Sequence, residues 1–489
     1  MIVSSSGRMS VERKSAPQRR RAALAGMALS LLLSGCSSLP DVFSSNGAAS
    51  TGTIPSGDLK DFAGAVVADE PQAALIGRSI LTAGGNAADA ATAMGLALAV
   101  SLPSRAGLGG GGGCLAYAPS KTGPGLGAPE AFLFPSAAPA NPGRADRPAG
   151  VPMLARGLFA LQARYGSRPI ETLITPAEQI ARNGMTVSRA LVRDIAVVAA
   201  PLGGDPAARA VFFTNDRPLA EGDSLIQLEL AATLAQLRQS GINDLVQGGI
   251  AHRIEDGMIS AGGGLTVADL RGALPRRVPA LVLTGVGKDN IATLPLPEAG
   301  GVAALGAAQL LVLDINAVAA ANTRAQGLAA AVRNGRTDPA ALLSATAPAG
   351  SIGALPASTS FAALDSQGGA VICATSMGNL FGTGRIVPGT GILLAASPAK
   401  KPQALLSIML SWNPNIQAFH AMAGGSGQSS SPLAAAFGLG VGLAGALPAV
   451  PPEPGRANVI ACPRYLPGSS ASCAWSVDPR SAGLAVGSN

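Results

Sequence analysis

The sequence is 489 residues long, enough for a large core, with only 13% charged and 3% aromatic residues but 63 glycines and 37 prolines. Its formal charge of +7 leaves no nucleic-acid footprint, because residues 1–35 hold six cations against Glu12 and no basic stripe interleaved with aromatics follows. Only two histidines, His252 and His420, are present. They argue against a histidine-based metal cage and a Ser-His-Asp triad, so no metal site and no cofactor are expected.

Arg19-Arg20-Arg21 leads a short apolar run, Ala22 to Leu33, which ends in Leu33-Ser34-Gly35-Cys36. A charged head, a run too short to span a bilayer comfortably and small residues before a cysteine read as a lipoprotein signal peptide over 1–35. Cys36 would then carry the lipid that holds the chain to a membrane. Ser37 gives no inner-membrane retention signal, so the expected location is the bacterial envelope, as an outer-membrane lipoprotein facing the periplasm. Residues 36–58, rich in Ser, Gly, Ala and Thr, read as a flexible tether.

The folded body begins near Gly64. Gly64 to Ala68 reads as a strand, and Pro71 to Leu81 and Ala87 to Val100 as helices split by Gly84-Gly85-Asn86. Gly109 to Gly113 precede a strand at Cys114 to Ala118. No Lys-Ser/Thr follows them, so they read as a close backbone approach and not as a phosphate loop. A short strand at Ala131 to Phe134 is followed by helical periodicity from Met153 to Leu237. Residues 289–297 read as a strand entering a Pro-rich turn, Gly300 to Asp314 as a helix, and Ala317 to Ala357 as surface helix plus mobile linker. Phe361 to Asp365 and Ala370 to Ala374 form a hairpin around Ser366-Gln367-Gly368-Gly369. Ser429 to Pro454 stays unassigned. Cys114 and Cys373 read as small buried hydrophobes. Cys462 and Cys473 bracket a short loop and are a disulfide candidate in an oxidising compartment.

The hairpin carries the chemistry. Ser358-Thr359-Ser360 stand between the linker and the first strand. Cleavage before a hydroxyl residue frees an α-amine that can serve as the base for that same hydroxyl, without a histidine. Three hydroxyls before a strand also suit a capped turn, and the two readings part only on wider context.

That context is a set of segments in a shared order. Gly84-Gly85-Asn86-Ala87-Ala88-Asp89-Ala90 is similar to "GGNAVDAA" of the gamma-glutamyltranspeptidase family. Gly107 to Gly112 is similar to its "GIGGGG", Pro218 to Asp223 to "PLKKGD", and Leu296 to Gly301 to "PPPSSGG". Phe381-Gly382-Thr383-Gly384, Pro388 to Leu394 and Asp478-Pro479-Arg480 resemble later segments. The resemblance runs over most of 64–487. It implies an α/β fold of the N-terminal-nucleophile hydrolase type, a four-layer αββα sandwich, with 59–357 as the large-subunit-like part and 358–489 as the small-subunit-like part.

Carried over residue by residue, the family's nucleophilic threonine falls on Ser358, counted back from Asp365, with Thr359 as runner-up. A second threonine falls on Ser376. The paired oxyanion glycines fall on Gly424 and Gly425. The glutamate contacts are replaced: the clamping arginine falls at Pro135 and an asparagine at Gly378. The acidic pair falls within Ala395-Ala396-Ser397-Pro398, and a serine pair at Ala404-Leu405. Losing several charged contacts costs on the order of several kcal/mol in transition-state binding. Two main readings follow. One is a self-cleaving amide hydrolase or acyl transferase, glutathione hydrolase-like, acting on a small amide or peptide of altered structure. The other is an inactive relative that serves as an envelope scaffold or binding lipoprotein. A binding lipoprotein of another fold stands behind both.

Overall fold

Strand Ser358–Asp365 is buried along its length up to Leu364. Side chains alternate across a strand, and here the two faces enter different cores. Phe361 and Ala363 pack with helices, while Ala362 and Leu364 pack against a second sheet. A strand buried on both sides needs a layer on each side, and the whole fold repeats that requirement. The computed structural model describes residues 62–488 apart from 120–126, 142, 144, 345–347, 349, 354–356 and 400–402. The signal segment, Cys36 and the tether lie outside the described residues. Among the described residues no helix is long and apolar enough to cross a membrane.

The two main sheets are built, in chain order, from β1 (Gly64–Ala68), β2 (Gly111–Tyr117), β3 (Glu130–Phe134), β4 (Arg276–Pro279), β5 (Leu281–Val286) and β6 (Asp289–Thr293). They continue with β7 (Ser358–Asp365), β8 (Ala370–Ser376), β9 (Ser407–Asn413), β10 (Ala418–Ser426), β11 (Arg456–Leu466), β12 (Ala474–Val477) and β13 (Leu484–Ser488). The first sheet runs β13-β1-β7-β8-β2-β3-β4 and the second β12-β11-β10-β9-β6-β5. All their pairings are antiparallel.

Three cores separate four layers. Helices Pro71–Thr82 and Ala87–Ser101 cover the outer face of the first sheet through Val66, Cys114, Phe132, Phe361 and Cys373. Leu115, Leu133, Ile372, Ile408, Met422 and Ile460 fill the space between the sheets. Helices Ala299–Leu311 and Ser431–Leu443 cover the second sheet through Met409, Ala423 and Val459. This is the αββα sandwich that the resemblance implies.

Small residues set the layer spacing. Helix Ala87–Ser101 is buried at every position and holds seven alanines, so it can lie flat on the sheet. It starts with a reciprocal cap: the Asn86 side chain accepts from the amides of Ala88 and Asp89, and Asp89 accepts from the Asn86 amide. The half-buried hairpin residue Asp365 ties the β7–β8 turn to this helix by accepting from the amides of Ala87, Gln367 and Gly369. At Gly112 a side chain would collide with the Ala374 carbonyl of the neighbouring β8. The glycine run therefore serves close backbone approach.

One expectation about the cysteines is overturned. Cys114 and Cys373 are not free buried thiols but a disulfide, joined directly across the β2–β8 pairing with a Cα–Cα distance of 4.0 Å. Linear spacing hides this, since 259 residues separate them. A second disulfide joins Cys462 to Cys473. The stretch expected as surface helix and linker contains helix Val318–Arg333. Its Ala321, Ala325 and Leu328 are buried in the second sheet's outer core.

Candidate active site

Ser358 and Ser376 stand opposite each other at the end of the β7–β8 ladder. Strand parity turns Ser358 to the inter-sheet side with Ala362 and Leu364, and Ser376 to the same side with Ile372 and Ala374. Ser376 Oγ donates to the Ala357 carbonyl at 2.8 Å and accepts from the Gly378 amide at 3.1 Å. That carbonyl belongs to the peptide bond before Ser358. Ser358 Oγ is buried and meets no hydrogen-bond partner among the described residues.

Thr359 faces the other way and is spoken for. Its Oγ1 donates to Asp69 Oδ2 at 2.7 Å. The Asn458 amide donates to Asp69 Oδ1 at 2.9 Å and to both the carbonyl and hydroxyl oxygens of Ser360 at 3.0 Å. Asp69 and Asn458 thus fix the first turn of β7, and the sequence alone singled out neither of them. Their signal is only the register that brings the ends of β1 and β11 to the start of β7. Asp69→Ala should leave the buried Thr359 hydroxyl without its acceptor, strip one bond from Asn458 and lower stability by about 3 kcal/mol in urea unfolding. A change within about 0.5 kcal/mol, as at an ordinary surface site, would show that Asp69 does not hold this corner.

Ala357 and Ser358 line a cavity of about 330 Å³ with Asp69, Ser426, Gly427 and four arginines, Arg105, Arg193, Arg456 and Arg480. Three of these cations are already paired. Arg105 lies 2.6 Å from Asp194, Arg456 lies 2.7 Å from Glu453, and Arg480 lies 2.5 Å from Asp478 and 2.9 Å from Glu453.

The expected oxyanion glycines are placed elsewhere. Gly424 and Gly425 lie inside β10, each flanked by partners in β9 and β11, so their amides face neighbouring strands. Their missing side chains serve packing. A Cβ on Gly424 would press on Ser360, and one on Gly425 would collide with the Ser431 carbonyl. The wall of the Ser358 cavity is instead reached one turn later by Ser426, Gly427 and Gln428, where Gly427 and Gln428 have φ of +110° and +56°.

A second, narrow crevice of about 40 Å³ adjoins Ser376. Pro135, Gly378, Ala396 and Ala404 all line it. These are positions from four separate segments at which the resemblance locates contacts to glutamate. Its remaining ionisable group is Glu298, which is 3% exposed. Burial pushes the Glu298 carboxyl up to about 7, against the pull of Arg276 and Arg333. The sequence reading missed Glu298, because a glutamate between proline and alanine reads as a turn residue.

The described sequence and geometry have known counterparts. The family described as Gamma-glutamyltranspeptidase matches residues 73–323, a stretch that ends upstream of Ser358. The glutathione hydrolase proenzyme of Bacillus subtilis (strain 168) is 32% identical over 256 residues, which is 49% of this chain and 43% of that protein. The capsule biosynthesis protein CapD proenzyme of Bacillus anthracis is 30% identical over 190 residues, covering 39% of this chain and 34% of that protein. The chain spans less than half the length of the curated relatives it matches. Among solved structures, a cephalosporin acylase from Bacillus halodurans superposes with a TM-score of 0.71 at 19% identity, over 91% of this chain and 99% of that one. That likeness concerns the fold.

Proposed function

The chain belongs to the gamma-glutamyltranspeptidase family, and from that premise we propose that it is an amide hydrolase or acyl transferase that cleaves itself before Ser358. The observation that carries this reading is the Ser376 hydroxyl donating to the Ala357 carbonyl, beside a Ser358 hydroxyl with no partner among the described residues. In the self-cleaving step Ser358 Oγ attacks the Ala357 carbonyl carbon while Ser376 stabilises the charge growing on its oxygen. The C–N bond breaks as the nitrogen takes the hydroxyl proton, leaving an ester. Water hydrolyses the ester, giving an Ala357 carboxylate and a free amine on Ser358. That amine then takes the proton of its own hydroxyl as Ser358 attacks a substrate amide. The substrate amine leaves with the proton, and water or another amine accepts the acyl group.

Several relatives are glutathione hydrolases. For this chain we infer a different acyl group, because Pro135, Gly378, Ala396 and Ala404 offer no charged side chain beside Ser376. The test begins with the N-terminus of the purified protein after incubation. Sequencing should find Ser358 as a new terminus, and turnover of a γ-glutamyl anilide should be very weak. Brisk γ-glutamyl transfer would refute the altered acyl group. A chain that stays intact, with no terminus at Ser358 or Thr359, would favour the second reading, an inactive binding relative. That reading draws on the narrowness of the crevice at Ser376, about 40 Å³.

The proposed location is the cell envelope, through lipid on Cys36. A fatty-acid analogue should label the wild type and leave Cys36→Ala unlabelled. Equal labelling of both would remove the anchor.

A further inference from the structure

Glu298 occupies an unusual position. It precedes helix Ala299–Leu311 but makes no side-chain capping bond. Although it is 3% exposed, no hydrogen bond or ion pair to its carboxyl is found among the described residues. Burying a carboxyl without donors is costly, and such groups concentrate at functional sites. Glu298 also lies where two spaces meet. It lines the crevice beside Ser376 and, with Pro398, Gln403 and Ala404, a larger cavity of about 310 Å³. In the crevice the hydroxyl of Ser136 is buried and has no hydrogen-bond partner among the described residues. The other crevice walls are Gly, Pro, Ala and Leu residues, apart from Ser376 and Gln403.

We propose that Glu298 makes this crevice a subsite for acyl groups that carry an amine, in which the amine reaches Glu298 and the acyl carbonyl reaches Ser376. The proposal rests on the hydrolase reading only for which end of the ligand lies at Ser376. An ammonium group supplies the donors that the carboxyl lacks, and the aliphatic stem of a short acyl chain suits the apolar walls. A carboxylate in the same place meets the like charge of Glu298, with only the Ser136 hydroxyl as an unengaged donor among the described residues. The cations that act on the Glu298 carboxyl are Arg276 and Arg333. Arg333 lines only the larger cavity, and its guanidinium already donates to the Gln403 carbonyl. The chemical class is therefore an amide of a short ω-amino acid, not of a dicarboxylic acid.

The experiment compares three soluble amides by calorimetric titration into the full chain: 4-aminobutanamide, butanamide and glutaramate. The amine should bind at least about tenfold more tightly than either of the others, the scale of one charge-assisted hydrogen bond. Glu298→Gln should erase that preference while keeping the fold, since it retains the side chain's shape. Equal affinities, preference for glutaramate, no binding of the amine, or a preference that survives Glu298→Gln would each overturn the proposal. The N-terminus is read on the same samples. An intact chain with Glu298-dependent selectivity keeps the subsite and removes the hydrolase. A chain cut at Ser358 with indifferent binding does the reverse.

Discussion

Ser358→Ala is expected to leave a single uncut chain and to abolish amide turnover. The loss should be on the order of a million-fold, the scale seen when a nucleophile acting as part of a unit is removed. One side chain is asked to serve twice, first against the Ala357 carbonyl and then against substrate. Thr359→Ala is the control. Its hydroxyl donates to Asp69, so this variant should lose stability but still be cut before Ser358. Intact mass measurement separates the outcomes. Cutting of Ser358→Ala at the same bond would reassign the nucleophile, and failure of Thr359→Ala alone to cut would move it by one residue.

The second large effect concerns pH. Glu298→Gln should remove a slope from the stability curve. The folded carboxyl is raised from 4.5 to about 7 by burial. A raised folded value means that the protonated form is the one the fold accommodates. Its contribution is fully present below the unfolded value near 4.5 and is lost as pH rises through about 7. The span corresponds to about 3 kcal/mol. Urea unfolding from pH 4 to pH 8 should therefore show the wild type losing about that much relative to the variant, mostly between pH 5 and 7. Parallel curves for the two proteins would mean that Glu298 titrates normally, with water or a donor at its carboxyl.

Local chemistry made some of this structure legible in sequence. The start of helix Ala87–Ser101 follows from an alanine-rich periodic run behind Gly84-Gly85-Asn86, and the structure adds the reciprocal cap between Asn86 and Asp89. The β7–β8 hairpin follows from apolar alternation around Ser366-Gln367-Gly368-Gly369, and its register sets Ser358 against Ser376. What stayed hidden depends on contacts distant in the chain. Helix Ser431–Leu443 is apolar all round because it is sandwiched in the second sheet's outer core, so it shows no amphipathic stripe. Gly424 and Gly425 are marked in sequence only by the resemblance, and the structure adds that each admits a neighbour from another layer. Asp69 and Asn458 lie 389 residues apart and meet only when the two sheets face each other.

The Cys114–Cys373 bond lies astride the proposed cut. Cys114 belongs to the piece that would end at Ala357, and Cys373 to the piece that would begin at Ser358. Breaking the peptide bond therefore yields a covalent heterodimer. Its two polypeptides cannot drift apart on unfolding, so unfolding and recovery stay unimolecular and independent of protein concentration. A non-covalent pair would instead have to find its partner again and would gain stability with concentration. The disulfide in this way would let the chain acquire a new terminus without acquiring a dissociation constant.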